Sequence, residues 1–338
     1  FTNTDNKTAT VKVVVAAADP VNITAFDAIS DVDGGKVGAA TYADAAAVIA
    51  TLPATVTAND SAVTVPVTAW VDTDTYNPAV AGSYTFTATL GAIPEGFTNT
   101  DNKTATVKVV VAAATYTVTF AAGTSNNDLT DITGATNYVA SATATEGVAY
   151  TAPVLAAENY VFEGWFTDAT CTTKYVKSVT AITSDITLYA KFTEASFEHQ
   201  AANGTKTYFT SLSSSVWKKG SGTITMLKDT SISLATTVRV SAITKNANFI
   251  LDLGGKTLTS TAVDEYRRAI WVIDGNHLTV RNGTIEFTSE DGFQLNTGHL
   301  TLEDDVTIKA NNHTAVVLFN GSTLTTEAVI NSGSDFAI

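Results

Sequence analysis

The side chains best suited to binding chemistry lie together in one connection late in the chain. They are Asp264, Glu265, Tyr266, Arg267 and Arg268. An arginine guanidinium presents a planar set of donors to carboxylates and hydroxyls, and a tyrosine ring combines an apolar face with a polar tip. We expect this connection to contact a ligand such as a sugar or a carboxylate. A solvated loop without a ligand is the alternative.

Two histidines, His277 and His299, occupy equivalent positions in a repeated element that reads GNHLT and then TGHLT. If the two elements are neighbouring parallel strands, the histidines lie about 5 Å apart. Imidazole is a common metal ligand, but the sequence offers only Asp252 or Asp274 as a third one. We therefore expect a stacked, exposed pair of histidines, and ligand contact is the second interpretation.

Four short polar residues precede turns at similar intervals along the same part of the chain: Asp252, Asp274, Asn296 and Asn320. This spacing predicts a ladder of Asp and Asn at one corner of a repeating fold. Such side chains commonly hydrogen-bond the backbone of the turn beside them. An acidic stripe that faces a carbohydrate is the alternative interpretation.

Calcium is the one cofactor that the sequence leaves open, through Asp31 and Asp33 in the segment SDVDGG. A calcium-binding loop of the EF-hand type needs a Glu at its twelfth position, which this segment lacks. The motifs of serine hydrolases, P-loop proteins, dinucleotide-binding proteins and H-E-x-x-H metalloproteases do not occur in the chain. We therefore assign no catalytic residue and expect no cofactor other than Ca²⁺.

The composition excludes several partners. The chain of 338 residues has 33 acidic and 19 basic residues, and its formal charge is −14. A nucleic-acid surface needs clustered Lys and Arg to neutralise phosphates, so we expect no nucleic-acid partner. No apolar run reaches the ~20 residues of a membrane-spanning helix, and one cysteine excludes a disulfide framework.

An exact repeat sets the first domain boundary. Phe1–Ala18 and Phe97–Ala114 have the same eighteen residues, FTNTDNKTATVKVVVAAA. We interpret residues 1–18 as the last strand of a preceding copy and residues 19–114 as one complete domain. Self-association, in which Phe1–Ala18 adds to the sheet of a neighbouring molecule, is a further alternative. Both ends of the chain read as interrupted, so we expect the signal peptide and the anchor to lie outside it.

Within residues 19–114, alternating apolar residues predict strands at Val63–Val67 and Tyr84–Ala88, and a short helix is predicted at Tyr42–Leu52. The elements VPVTAW and YNPAVAGSYTFTA resemble a bacterial immunoglobulin-like surface domain. That resemblance implies a β-sandwich in which Trp70 belongs to the core.

Residues 115–195 begin with the alternating strand TYTVTF and end with ITLYAKF. The sequence GWFTD at Gly164–Asp168 and the closing LYAKF at Leu188–Phe192 resemble the Listeria–Bacteroides repeat of the internalin B type. The resemblance implies a small β-grasp module of bacterial surface proteins, where such modules act as spacers or adhesive units.

Residues 196–338 carry a different repeat. The element [GN]-x-x-Leu-Thr recurs with its leucines at Leu258, Leu278, Leu300 and Leu324, and apolar segments flank each copy. Short strands at intervals of about two dozen residues are typical of a parallel β-solenoid. Phe209, Leu212 and Val216 predict a capping helix over Tyr208–Lys218. The pattern resembles a pectate-lyase-type right-handed β-helix.

Together these observations predict a mainly β protein: an immunoglobulin-like β-sandwich, a β-grasp module and a truncated right-handed β-helix with a short N-terminal capping helix. The resemblances imply a non-catalytic, extracellular protein of the bacterial cell surface, in which stalk modules present the β-helix for adhesion to a glycan or to a host or neighbouring cell. The alternative is a polysaccharide lyase or glycosidase with its active site on the β-helix, on coils beyond Ile338.

Overall fold

The computed structural model is mainly β, as predicted. It describes residues 8, 10–125, 127–177, 182–232, 238–240, 245–261, 268–288, 291–311 and 314–332. The chain forms two compact units. The first ends at Tyr116 and includes Thr145–Gly147, and the second comprises Thr117–Ala144 and the chain from Val148 onwards. Among the described residues, no helix has the length and apolar character that crossing a membrane requires.

In the described residues of the first unit, there are one short helix and eight strands. They are β1 (Val21–Asn22), β2 (Val32–Lys36), β3 (Ala39–Ala40), α1 (Ala45–Ile49), β4 (Thr55–Ala58), β5 (Val63–Asp72), β6 (Gly82–Leu90), β7 (Phe97–Thr98) and β8 (Thr106–Ala112). Both predicted strands are confirmed within β5 and β6. The predicted helix is confirmed in shorter form, and it begins where the Asp44 carboxylate accepts a hydrogen bond from the Ala47 backbone N–H.

Six of these strands form one sheet in the order β3-β2-β8-β6-β5-β4. β8 lies inside the sheet, parallel to β2 and antiparallel to β6. Its residues alternate, so that Val107, Val109 and Val111 are buried in the core while the residues between them are more exposed. Trp70 is also buried, as predicted, and its indole N–H donates to the Pro53 carbonyl oxygen at 2.9 Å.

The alternation of Val11, Val13 and Val15 is not accompanied by a strand within this chain, and the interpretation of residues 1–18 as the last strand of a preceding copy stays a prediction. Residues 10–18 belong to no strand, and these three valines are 82, 78 and 86% exposed. The physical reason is the lack of a partner, because a strand is stabilised by a neighbour and not by its own sequence alone. The same residues in β8 have neighbours on both sides.

The second unit begins with four strands: β9 (Thr115–Ala122), β10 (Ser141–Thr145), β11 (Tyr160–Phe166) and β12 (Ile186–Glu194). They form a sheet in the order β10-β9-β12-β11, in which β9 and β12 are parallel. Trp165 is buried beside Phe120, with ring centroids 4.7 Å apart. The predicted strands at the two ends of this module are therefore confirmed, and they pair with each other.

The remainder of the second unit holds one helical turn and fourteen strands among the described residues. They are β13 (Phe197–Ala201), β14 (Lys206–Phe209), α2 (Ser214–Trp217), β15 (Gly222–Met226), β16 (Thr230–Ile232), β17 (Val238–Val240), β18 (Asn248–Ser260), β19 (Arg268–Ile273), β20 (His277–Phe287), β21 (Asp291–Asn296), β22 (His299–Leu302), β23 (Val306–Ala310), β24 (Val316–Phe319), β25 (Thr323–Thr326) and β26 (Val329–Ser332).

Most of these strands lie in three ladders of parallel strands, hereafter the parallel stack. The first ladder holds β15, the start of β18, the start of β20, β22 and β25. The second holds β16, the ends of β18 and β20, β23 and β26. The third holds β17, β19, β21 and β24. Apolar residues from all three ladders form one core.

One detail of the predicted solenoid is wrong. Leu278, Leu300 and Leu324 are in register, but Leu278 pairs with Phe249 in the strand before it. Leu258 pairs with Ile285 in the second ladder instead. The reason is that β18 is one long strand that contributes to two ladders, so the first GKTLT element is not equivalent to the later ones.

The predicted helix over Tyr208–Lys218 is also shorter than expected. Tyr208 and Phe209 end β14, which pairs with β13, and only Ser214–Trp217 form a helical turn. Aromatic residues favour strands where a neighbouring strand is present, which outweighs the helical spacing of the apolar residues. Leu212 and Val216 are nevertheless fully buried in the core of the parallel stack.

Candidate ligand-binding surfaces

One candidate site is a groove of about 640 Å³ in the second unit, hereafter the aromatic groove. It lies between the segment 154–162, which leads into β11, and residues 206–208 of β14. β11 and β14 each end their sheets, so the groove runs along two sheet edges. A ligand there meets both backbone edges and side chains.

Three half-buried aromatic side chains line the groove: Tyr160, Phe162 and Tyr208. The first two are held by the core of the module. The ring of Tyr160 meets Phe192 edge-on at 6.5 Å, and the ring of Phe162 meets Trp165 edge-on at 5.6 Å. These contacts hold the two rings in place while part of each faces solvent, which is the arrangement that an aromatic platform for a sugar or a peptide requires.

An ion pair lies at the β14 side of the groove. The Lys206 ammonium lies 3.1 Å from Oε2 of Glu198, a residue that is only 9% exposed. Glu198 is in register with Tyr208. Burial raises the pKa of the Tyr208 hydroxyl, and the negative charge of Glu198 raises it further, so the hydroxyl stays protonated. The hydrogen bond to Glu198 likewise raises the pKa of Lys206. The groove therefore offers fixed donors beside aromatic faces.

Sequence reasoning missed the aromatic groove because its residues come from two segments more than forty positions apart. The available signal was the run of aromatic residues in one short strand, of which Tyr160 and Phe162 are only half-buried while Trp165 belongs to the core. Nothing in the sequence indicates that residues 206–208 face that strand.

His277 and His299 are neighbours, as predicted. They are in register on β20 and β22, and their rings meet edge-on with centroids 6.2 Å apart. Nε2 of His277 lies 2.8 Å from the Thr301 hydroxyl, and Nδ1 of His299 lies 2.7 Å from the Thr323 hydroxyl. Both rings are half-buried. One nitrogen of each ring is therefore hydrogen-bonded to a threonine of the next strand. These hydrogen bonds give both histidines a structural role.

The predicted ligand-contact loop lies almost entirely outside the described residues. Asp264, Glu265, Tyr266 and Arg267 lie outside the described residues. Arg268 begins β19, where its backbone is in register with Asp291. The assignment of this loop to a ligand stays a prediction.

The predicted ladder of Asp and Asn is wrong in one member. Asp274 and Asn320 both follow strands of the third ladder with positive φ, and the Asn320 amide donates to the Asn296 side chain at 3.0 Å. Asp252 lies elsewhere, inside β18, and is in register with Arg281. The reason is again the length of β18, which places Asp252 at the corner between the first and second ladders.

At the corner between the first and second ladders, three aspartates accept hydrogen bonds from backbone N–H groups of the turns. Asp229 accepts from Thr257 at 2.8 Å, Asp252 from Gly254 at 3.0 Å and Asp305 from Asn282 at 2.7 Å. Of the four residues in the predicted ladder, Asp252 is therefore the one at this corner that hydrogen-bonds the turn backbone as predicted.

A shallow depression of about 230 Å³ lies on the parallel stack. Three carboxylates line it, those of Glu303, Asp304 and Glu327, together with Thr301 and Thr325. Glycoside hydrolysis commonly uses two carboxylates, which makes this depression the candidate site for the enzymatic alternative.

Asp31 and Asp33 lie at the start of β2 and are both exposed. Oδ1 of Asp33 accepts a hydrogen bond from the Gly35 N–H at 2.8 Å, so that carboxylate already serves the turn. Within the described ranges, no group of three or more His, Cys, Asp and Glu residues is arranged to hold a metal ion. Calcium binding stays an untested prediction.

The Asp168 carboxylate, the last residue of the GWFTD element, organises the turn after β11. It accepts hydrogen bonds from the Thr170 hydroxyl and from the backbone N–H groups of Thr172 and Thr173. These donors, the Thr170 hydroxyl first, hold the pKa of Asp168 well below its usual range. Gly164, the first residue of the same element, also has a structural role. Its φ of 121° is costly for any residue with a Cβ.

Comparison with known proteins agrees with the interpretation of this module. Residues 116–191 match the family model of the Listeria-Bacteroides repeat domain. The match covers less than a quarter of the chain, so it concerns this module alone. Repeats of this family occur in bacterial surface proteins. A search of curated proteins returns no match.

Proposed function

We propose that this chain is a non-catalytic, extracellular bacterial surface protein that binds a glycan through the aromatic groove. The observation that carries the proposal is the combination of three partly exposed aromatic rings on the walls of one groove with Lys206, which lines the same groove and is held by Glu198. Sugars bind to such sites through contact of their C–H faces with aromatic rings and hydrogen bonds from their hydroxyls to charged groups.

The modules around the groove serve to hold it away from the cell. In this proposal, residues 19–114 are an immunoglobulin-like sandwich, residues 115–195 are a β-grasp spacer, and the parallel stack is a right-handed β-helix. The three ladders and their shared core support the last assignment. Stacked coils are rigid because each coil buries the apolar face of its neighbour, which suits an adhesive surface.

The use of the aspartates on the stack favours a protein without catalytic activity. Asp229, Asp252 and Asp305 are engaged by backbone N–H groups, and Asp252 also forms an ion pair with Arg281. A carboxylate that stabilises a turn in this way has a role in folding that explains its presence.

A second candidate function is cleavage of a polysaccharide, and the acidic depression at Glu303 and Glu327 is the observation that favours it. In a glycosidase one carboxylic acid protonates the leaving group, and a second carboxylate acts as nucleophile or base. If the chain cleaves a glycan, Glu303→Gln and Glu327→Gln should each abolish cleavage and leave the aromatic groove intact.

Substitution of the groove tyrosines tests the proposal. Tyr160→Ala and Tyr208→Ala should each weaken glycan binding by about 3- to 10-fold, the effect of losing one aromatic contact. Tyr189→Ala is the matched control, because Tyr189 is a half-buried tyrosine of β12 that does not line the groove. Circular dichroism verifies the fold of each variant. Groove variants that bind as tightly as the control contradict the proposal.

A further inference from the structure

A second, smaller pocket lies beside the aromatic groove. It has a volume of about 210 Å³, and Val154 and Phe162 line both it and the aromatic groove. The two are therefore continuous across the Phe162 ring. Pockets that hold a small molecule on their own have volumes of about 300–1,000 Å³. The smaller pocket, hereafter the lysine pocket, is suited to one unit of a ligand whose remainder lies in the aromatic groove.

The floor of the lysine pocket is apolar and fixed. Trp165 and Tyr175 line it, and both are buried. The Trp165 indole N–H donates to the Pro153 carbonyl oxygen at 2.6 Å, and the Tyr175 hydroxyl donates to the Tyr150 carbonyl oxygen at 3.0 Å. These bonds attach both rings to the segment that supplies Thr151–Val154 to the pocket. Because the polar atoms of the rings are already paired, the floor offers ring surface to a ligand.

Two exposed lysines, Lys174 and Lys177, line the same pocket. The Lys174 side chain lies across the backbone at Gly164, where an added Cβ would be 2.9 Å from Cε and 3.4 Å from Nζ of Lys174. The Lys174 backbone is fixed as well, through a bridge to Phe166 at the end of β11. The missing side chain at Gly164 therefore leaves the space in which the Lys174 ammonium lies at the pocket.

The charge of these lysines is not balanced inside the protein. Neither Lys174 nor Lys177 forms an ion pair with any residue that the structure describes, and the described residues lining the pocket include no Asp or Glu. The chain as a whole has a formal charge of −14, so two neighbouring lysines without counter-charges are a local exception. Ammonium groups beside an apolar floor attract an anionic group that has an apolar body.

The aromatic groove has the opposite balance. Its Lys206 is held by Glu198 at 3.1 Å, and Glu158 lines the groove without a lysine of its own in the part that the structure describes. An anionic group in the aromatic groove would therefore meet more negative than positive charge. A ligand that fills both sites places its neutral part against Tyr160 and Tyr208 and its anionic part against the two lysines.

We propose that the lysine pocket binds an anionic sugar residue, which carries a carboxylate or a sulfate, of a glycan whose neutral part lies in the aromatic groove. This inference rests on the proposed function of the aromatic groove and adds the chemical class of the glycan and its direction in the site. Lys174 and Lys177 pair with the anionic group, and the rings of Phe162, Trp165 and Tyr175 contact the body of the sugar.

The test compares oligosaccharides that differ in one group: a neutral chain that ends in a uronic acid, the same chain with that carboxylate as its methyl ester, and the same chain with a sulfate in its place. Calorimetry measures their binding to the full chain. We expect the acid to bind about 5-fold or more tightly than the ester. Raising NaCl from about 50 mM to about 500 mM should reduce this preference, because salt screens the charges at the exposed rim.

Lysine variants assign the preference to the pocket. Lys174→Met and Lys177→Met keep an apolar side chain and remove one charge each. Each should weaken binding of the acid by about 2- to 5-fold, the effect of one partly exposed charge contact, and leave binding of the ester unchanged. Lys219→Met is the matched control, because Lys219 is an exposed lysine that lines neither site. Tyr208→Ala should weaken binding of acid and ester alike.

The outcomes separate this inference from the proposed function. Equal binding of acid and ester that depends on Tyr208 overturns the lysine pocket and leaves glycan binding in the aromatic groove intact. A preference for the acid that survives in the Lys174→Met/Lys177→Met chain also overturns it. Binding of none of the oligosaccharides contradicts both proposals. Binding of the sulfated chain as tight as that of the acid supports a site for either anion, and weaker binding supports a carboxylate site.

Discussion

Arg281 and Asp252 face each other on neighbouring strands of the parallel stack, with Nη2 of Arg281 2.9 Å from Oδ2 of Asp252. Nε of the same arginine lies 2.9 Å from the same oxygen. The other carboxylate oxygen accepts hydrogen bonds from the Gly254 N–H and from the Asn282 amide. One carboxylate therefore connects two coils and the turn between two ladders.

We expect Arg281→Ala to lower the free energy of unfolding of the second unit by about 1–2 kcal/mol, between the values for exposed and buried pairs. The reason is that the Asp252 side chain is only 18% exposed and would lose its counter-charge. Lys228→Ala is the control, because the Lys228–Glu194 pair is exposed on both sides and should contribute 0–1 kcal/mol. Urea unfolding measures both. Equal effects of the two substitutions would contradict the prediction.

Asp168→Asn should make the second unit less stable at pH 7. The folded-state pKa of Asp168 is lowered, so its contribution is present above the unfolded pKa of about 3.9 and is lost as the pH falls through the folded pKa. The stability difference between the unmodified chain and Asp168→Asn should accordingly shrink below about pH 4. Urea midpoints at several pH values measure it, and a difference independent of pH would argue against this role.

The His277 pKa should lie below 6.5, because burial disfavours the charged imidazole and the neighbouring His299 disfavours it further. Since the folded pKa is lowered, this stabilising contribution is present above pH 6.5 and is lost as the pH falls through the folded pKa. An NMR titration of the imidazole protons measures the shift directly. His299→Gln removes the second cause and should raise the His277 pKa; an unchanged pKa would exclude repulsion between the two rings.

Gly164→Ala should destabilise the module of strands β9–β12 by about 1–3 kcal/mol, because its φ of 121° is a backbone conformation that costs a residue with a Cβ this amount. A Cβ at this position would also lie 2.9 Å from Cε of Lys174. Gly134→Ala is the control, since a Cβ there meets nothing within 4 Å and its φ is not positive. Thermal unfolding of the two variants compares them; similar midpoints would show that position 164 tolerates a Cβ.

The sequence was sufficient to predict the strands in which apolar and polar residues alternate and which have a neighbouring strand in the same sheet. Val65 and Phe86 are fully buried in strands predicted from their alternation, and Trp70 is in the core as the resemblance implied. The module that matches the Listeria-Bacteroides repeat model was predicted from GWFTD because the motif is structural: Asp168 forms the turn and Gly164 allows the irregular register of β11.

The features that the sequence did not predict depend on register and on distant neighbours. Leu258 has the same motif as Leu278 but belongs to another ladder, because the strand that carries it turns a corner without interruption. Val13 and Val109 have the same sequence context and opposite exposure, which only the presence of neighbouring strands decides. The aromatic groove joins Tyr160 to Tyr208 through the fold alone.

The central claim is that the chain binds a glycan without cleaving it. The most direct test is a glycan array probed with the unmodified chain and with Tyr208→Ala, followed by mass spectrometry of the bound glycans. The account predicts that the unmodified chain binds a subset of glycans, that Tyr208→Ala binds them more weakly, and that the recovered glycans keep their mass. Shortened glycans, or binding that is indifferent to Tyr208, would contradict it.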